Sequence, residues 1–260
     1  MNQVGSVSTQ YDPRRAEVLE ALACLYLRLN GYFCISNYLY HLVEGFGLDT
    51  ESDLLAIRLP HQEEVLQNGR RQPNDDTLVL PGDQPLVDCV IAEVKEPSVE
   101  FNARLRGSDG PRLIAAALRM FGVLRGDTFE GDGMALSVAK LLYEQISEPH
   151  WARIPSAEIA QTDQNRYGAL VRMVVFAPKT AKHAADRKHF DLHHVLAFTR
   201  SRMRLGEPCA PYRDPALPST SPWRGCARLI VQTVDESHSL GEVDLPLDVF
   251  VARVIARWPA

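Results

Sequence analysis

The sequence predicts an α/β fold in one domain, 1–260, with a central mixed β-sheet flanked by helices and extra helices toward the C-terminal end. Two observations carry that class. Segments with helical apolar spacing alternate with short β-branched runs, in the order helix, strand, strand, helix, helix, strand, helix. The chain of 260 residues is also long enough to bury roughly 70–75% of its unfolded surface around one core. The stretch 206–224 carries five prolines and is expected to be a surface loop, and 225–260 is too short for a second core. The core is expected at about 14–178, followed by a helical extension at about 179–260.

Taken in order, residues 1–12 form a loose arm. Pro13 opens a helix through RRAEVLEALACLYLRLN, with apolar residues at 18, 22, 25 and 29 and a stop near Gly31. The aromatic-rich 32–44 fits a short strand and a turn. ESDLLAIR is a strand closed by Pro60. Residues 61–84 are polar and turn-rich, an excursion with a short hairpin. PLVDCVIAEVKEP gives the next strand, ended by Pro97. Helices follow at about 111–124 and 134–147, then the buried strand ALVRMVVFAP at 169–178. LHHVLAFTRSRMRL is a helix, CARLIVQTV is undecided between helix and strand, and LDVFVARVIARW closes the chain as an amphipathic helix.

Charge narrows the function. Lys and Arg total 28 against 33 Asp and Glu, a formal net charge of −5, which excludes a partner held mainly by bulk counterion release. The charge is uneven: residues 40–100 hold 13 acids and four bases, counted along the sequence. The five cysteines form no Cys-x-x-Cys pair, which fits a reducing compartment and gives no zinc-knuckle spacing. The polar start MNQVGSVSTQYDPRR lacks a secretory apolar run, and the apolar window 21–40 is broken by Arg28, Asn30 and Asn37. A cytoplasmic location is the expectation.

The chemistry concentrates on two strands. In DCVIAEVK, Glu93 and Lys95 follow a buried apolar run, and side chains two apart share a strand face. Lysine is scarce, with only five in the chain, at 95, 140, 179, 182 and 188. Asp53 stands at the mouth of the preceding strand. If the two strands pair, Asp53 and Glu93 converge on one hard cation, for which Mg²⁺ with one or two carboxylates is the natural choice and Mn²⁺ a substitute. Such a cation neutralises a phosphate and acidifies a bound water, while Lys95 holds the nucleophile or the phosphate.

This order of strand Asp and strand Glu-x-Lys resembles the PD-(D/E)XK nuclease superfamily, with its restriction-endonuclease-like fold. The helical part is similar to Holliday-junction-resolvase-like members, in which a glutamate lies eleven residues before a Gly-aromatic turn. Glu20 stands at that spacing before Gly31-Tyr32, with Glu17 one turn earlier as the alternative. The resemblance covers roughly 14–125. It implies that Asp53, Glu93 and the carbonyl of Val94 bind the metal, that Lys95 assists the attacking water, and that Glu20 supports the site from a second shell or a second metal. It also implies a DNA substrate, a bacterial defence or repair setting with a partner protein, and a homodimer where both strands are cut. The 39 residues between Asp53 and Glu93, with 61–84 inserted, depart from the usual spacing.

Three other features stand out in the sequence. His189-x-x-x-His193, with His194, Asp186 and Asp191 nearby, has the spacing of helical metal ligands without the usual glutamate. GDTFEGDG at 126–133 matches neither a phosphate loop nor a calcium loop and is expected to be a turn between helices. Arginines at 200, 202 and 204, followed by 213, 224 and 228, and a second group at 104, 106 and 112, offer two phosphate-binding surfaces. The expected function is therefore a Mg²⁺-dependent nuclease acting on DNA. The alternative is a catalytically silent nuclease-like fold that serves as a nucleic-acid or protein interaction module.

Overall fold

The computed structural model describes residues 12–40, 50–60, 62, 64–65, 71–78, 86–96, 100–123, 133–144, 151–154, 168–178, 189–204, 222–242 and 244–258. Helix α1 spans Pro13–Leu29. The Asp12 side chain accepts from the Arg14 N–H, Pro13 needs no hydrogen bond at the first position, and Gly31 leaves the helix at φ 82°. Ten of its residues are buried, from Val18 to Leu29, so α1 is a core helix with little free surface in its C-terminal half.

Strands β1 (Phe33–Tyr40), β2 (Thr50–Arg58) and β5 (Leu86–Val94) follow, with the small hairpin β3 (Glu64–Val65) and β4 (Arg71–Gln72) and a 3₁₀ turn at Asp76–Leu78 between the last two. Then come α2 (Gly110–Phe121), α3 (Met134–Glu144), β6 (Trp151–Ile154), β7 (Gly168–Ala177), β8 (His189–Asp191), α4 (Leu192–Arg204), α5 (Pro222–Ser239) and α6 (Leu247–Ala256). The main sheet is mixed, in the order β1-β2-β5-β7-β6, with β8 also on β7. The first three strands pair antiparallel, Ile57 opposite Phe33 and Ala92 opposite Leu54. β7 joins β5 in parallel, with Val175 opposite Glu93. Its outer side is shared by β6, antiparallel along its first half, and β8, parallel along its last residues.

Alternation along the strands divides the core into two apolar faces. Leu54, Ala56, Val90, Ala92, Val94, Val174 and Phe176 belong to the face covered by α1, α4, α5 and α6. Leu55, Cys89, Ile91, Val171, Met173 and Val175 belong to the other, covered by α2 and α3. β5 is buried on both faces along its whole length, which explains its continuous apolar run. The helices beyond 179 pack directly against α1, and β8 extends the sheet, so the packing does not break near 178.

The expected α/β class with a mixed sheet flanked by helices is what the chain forms. Two strands escaped the sequence reading. β8 is three residues long and β6 is four, too short to show a period of two. The undecided CARLIVQTV lies within α5. Its buried residues 226, 227, 230, 231 and 234 follow a helical stripe, although Ile230, Val231 and Val234 are β-branched. Tertiary packing overrides their intrinsic preference. Most of 126–133 and of 206–224, and Asp186, Cys209 and Arg213, lie outside the described residues. Among the described residues no helix is long and apolar enough to cross a membrane.

Candidate active site

The register that pairs Leu54 with Ala92 sets Asp53 and Glu93 side by side at one end of the sheet, where β2 begins and β5 finishes. Glu93 is fully buried and Asp53 is 7% exposed. The Lys95 ammonium stands 2.7 Å from Glu93 Oε2 and 3.3 Å from Asp53 Oδ2. Two carboxylates within reach of one nitrogen are separated by no more than the sum of those distances, a span that one hard cation and its water can bridge. Asp53 is fixed further by the Val94 N–H, which donates to its Oδ2 at 2.6 Å. Lys95 is held by its own N–H, which donates to Phe176 O at 2.9 Å and extends the β5–β7 ladder past Val94.

Glu93 is unusual among the buried acids. The ammonium is close, but its direction is too poor for a hydrogen bond, so both carboxylate oxygens lack a hydrogen-bond partner among the described residues. Burial pushes its carboxyl well above the usual range, and the neighbouring Asp53 adds to this against the opposing pull of Lys95. Burial also works to lower the Lys95 pKa. Glu93 and Asp53 outweigh it, so the ammonium keeps its proton more tightly than usual.

Glu20 projects from α1 toward the same end. It is half-buried, and its carboxyl is pushed up to about 7 by burial and then by Asp53 and Glu51. Glu17, the alternative one turn earlier, is exposed. Among the described residues no three His, Cys, Asp or Glu side chains form a ready metal cage, so Glu20 is an electrostatic neighbour of the pair and not a third converging ligand. α1 is tied to this end of the sheet by Arg15, which donates to Glu96 Oε1 at 2.6 Å and to Asp248 Oδ1 at 2.5 Å.

Two residues of the site went unread in the sequence. Glu51 contributes negative charge from the start of β2. Tyr40 arrives by a change of face. Cys34 packs on the α1 side of the sheet, whereas Tyr38 and Tyr40, also even-numbered, pack on the α2 side. Asn37 lies between them at φ 53°, a left-handed conformation that asparagine tolerates and that turns the strand over. Tyr40 is thereby buried on the face that alternation assigns to Glu93, with 2% exposure. Its hydroxyl makes no hydrogen bond of acceptable geometry among the described residues. The adjacent Ser52 hydroxyl instead donates to Ala92 O at 3.3 Å.

The other candidates fall elsewhere. His189 sits in β8, before α4 begins, so His189 and His193 do not share a helix turn. The His193 N–H donates to Asp191 Oδ1 at 3.0 Å as a helix-start contact, and His194 Nε2 lies 2.7 Å from Asp75 Oδ2. Arg200 and Arg202 are buried and bond main-chain carbonyls, Arg200 those of Glu242 and Leu245 and Arg202 that of Pro73. That pair is structural and not an open phosphate surface, whereas Arg106 and Arg112 of the second group are exposed.

What the arrangement offers is a buried, under-bonded carboxylate beside a second carboxylate and one ammonium, in a field made more negative by Glu20 and Glu51. Compared with known proteins, the chain matches no family model, no curated protein and no solved structure.

Proposed function

We propose that this protein is a divalent-cation-dependent nuclease that hydrolyses phosphodiester bonds, with DNA as the expected substrate, on a restriction-endonuclease-like core. The observation that carries the reading is Glu93: a fully buried carboxylate beside Asp53 and the Lys95 ammonium, with neither of its oxygens in a well-directed hydrogen bond among the described residues. A buried charge in that condition is costly unless something compensates it. Asp53 and Glu93 flank the Lys95 ammonium, and Glu20 and Glu51 add negative charge to their field, an excess that suits a hard cation.

Asp53, Glu93 and the main-chain oxygen of Val94 are the groups that would hold Mg²⁺ or Mn²⁺. A cation bound there supplies charge against the phosphate and lowers the pKa of a water. The remaining steps fall to the chain. Lys95, anchored on the strand end, donates a hydrogen bond to the attacking water or to a phosphate oxygen as water adds to phosphorus and the bond to a sugar oxygen breaks, that oxygen taking a proton from solvent as it leaves. Glu20, titrating near 7, takes up the proton that the water loses. Exposed Arg112 is available to the phosphate backbone, whereas Arg106, although exposed, donates to Phe101 O and pairs with Glu100.

Incubation with supercoiled plasmid, single-stranded DNA and RNA in Mg²⁺, Mn²⁺ or EDTA tests this. Cleavage is expected with the metals and not with EDTA. Asp53→Ala and Lys95→Ala should lower it by about 10²–10³-fold or more. Cleavage that survives both substitutions would remove the site assignment. Absence of cleavage on every substrate, together with retained nucleic-acid binding, would favour a silent interaction module.

A further inference from the structure

The site contains two complementary deficits. Among the described residues the Tyr40 hydroxyl is a buried donor with no bonded acceptor, and the Glu93 carboxylate is a buried acceptor with no bonded donor. Both belong to the α2 side of the sheet with the apolar Leu55, Ile91, Met173 and Val175, and the nearest polar groups leave them unbonded: Ser52 gives its hydroxyl to Ala92 O, and the Lys95 ammonium meets Glu93 off line. Buried polar atoms are nearly always bonded, so two unmet groups on one face of the sheet call for an explanation. The Tyr40 ring is itself pinned. It packs edge-on against Tyr38 with centroids 5.2 Å apart, and it is carried to this face by the left-handed residue at Asn37. The ring fixed in this way puts its hydroxyl next to Ser52 and within the field of Glu93.

We propose that Tyr40 is a positioning residue for the metal site: its phenolic O–H donates, directly or through one shared water, to the Glu93 oxygen turned away from the cation. The inference rests on the metal-site reading above. It assigns the orientation of Glu93 to β1, an element outside the Asp and Glu-x-Lys strands. A ligating carboxylate held by an outer hydrogen bond keeps one oxygen aimed at the metal, and losing such a partner typically weakens metal binding by about 10–100-fold. In the metal-free protein the hydroxyl contributes no bond, so its removal carries no stability cost.

The test is Mn²⁺ binding to the full chain, followed by electron paramagnetic resonance of the free ion, with melting temperature as a second readout. Tyr40→Phe should weaken Mn²⁺ binding about tenfold or more. Its metal-free melting temperature should match or exceed that of the wild type. Tyr38→Phe, which keeps the same ring contact, should leave Mn²⁺ affinity within about twofold of wild type, since Tyr38 is only partly buried at the edge of the cluster. A Tyr40→Phe protein with unchanged Mn²⁺ affinity would overturn the inference and leave the metal site standing, provided Glu93→Gln abolishes binding. A clear drop in its metal-free melting temperature would overturn it too, because the hydroxyl would then have a structural partner. If the wild type binds no Mn²⁺, the metal-site reading fails and the inference falls with it.

Discussion

The two ends of β5 present the same chemistry under opposite conditions. Asp88 near its start and Glu93 near its finish are both fully buried carboxylates on one strand. Asp88 is saturated. Arg172 donates to it from Nε at 3.0 Å and from Nη2 at 2.5 Å, Tyr32 donates its hydroxyl, and Arg58 adds a contact at 3.4 Å. Arg58 also lies over the Tyr32 ring, 4.8 Å from its centroid. Among the described residues Glu93 has an off-line ammonium and no hydrogen bond. Burial alone therefore does not separate a structural acid from a functional one. Satisfaction does separate the two acids here: the bonded one cements the fold, and the under-bonded one is the group proposed above to meet a cation.

The largest effect should follow from breaking the saturated end. Asp88→Asn leaves the Arg172 and Arg58 guanidinium groups without their buried counter-charge. Removing one partner of a buried ionic cluster typically costs about 3–5 kcal/mol. Urea denaturation of the variant should show that loss. Glu93→Gln at the other end should change stability by no more than about 1 kcal/mol in either direction, since it removes a charge that burial already disfavours. Equal losses at both ends would erase the distinction between them.

How much of this was legible in the sequence also differs between the two ends. Glu93, Lys95 and Asp53 stood out because acids and a rare lysine interrupt apolar strands, a local contrast that needs no tertiary knowledge. The Asp88 network was invisible. Its partners Tyr32, Arg58 and Arg172 are spread over 140 residues and meet only through the strand order β2-β5-β7. Tyr40 was hidden for another reason. Its face is set by one left-handed residue, and strict alternation along β1 assigns it to the wrong side. The same limit applies to Arg200 and Arg202. Their spacing in the sequence fits a basic surface, and only packing shows that they are buried and committed to carbonyls.

A smaller effect separates the site from a second buried acid by pH. The Glu20 carboxyl is raised from 4.5 to about 7, so the unfolded chain ionises first as pH rises. The folded state then binds more protons, and stability falls between about 4.5 and 7. The half-exposed position of Glu20 discounts the change to about 1–2 kcal/mol. Asp75 behaves in the opposite sense. Burial works to raise its pKa, but the His194 contact and the Thr77 N–H and hydroxyl outweigh it and hold the carboxyl at about 2. Its contribution is present above 3.8 and is lost as pH falls toward 2. Melting temperature against pH should therefore rise from pH 8 to pH 5 and fall again below 4. Glu20→Gln should shrink the first limb and leave the second, the remainder of the first coming from Glu93, whose carboxyl burial raises in the same direction; a first limb unchanged in that variant would remove Glu20 as a source.

The smallest effect concerns the link between the helix and the strand end. Arg15 joins α1 to Glu96, next to Lys95, and to Asp248 at the start of α6. All three groups keep contact with solvent, and Asp248 is 79% exposed at its side chain, so solvent screens most of the attraction. Arg15→Met keeps the apolar stem and should cost only about 0.5–1 kcal/mol in urea denaturation. Its more telling readout is the pH limb assigned to Glu20, which sits on the same helix and depends on where α1 docks. If Arg15 sets that docking, the limb shifts in Arg15→Met even though stability hardly changes. If the limb stays in place, the buried face of α1 from Val18 to Leu29 holds Glu20 over the site without help from the salt bridge.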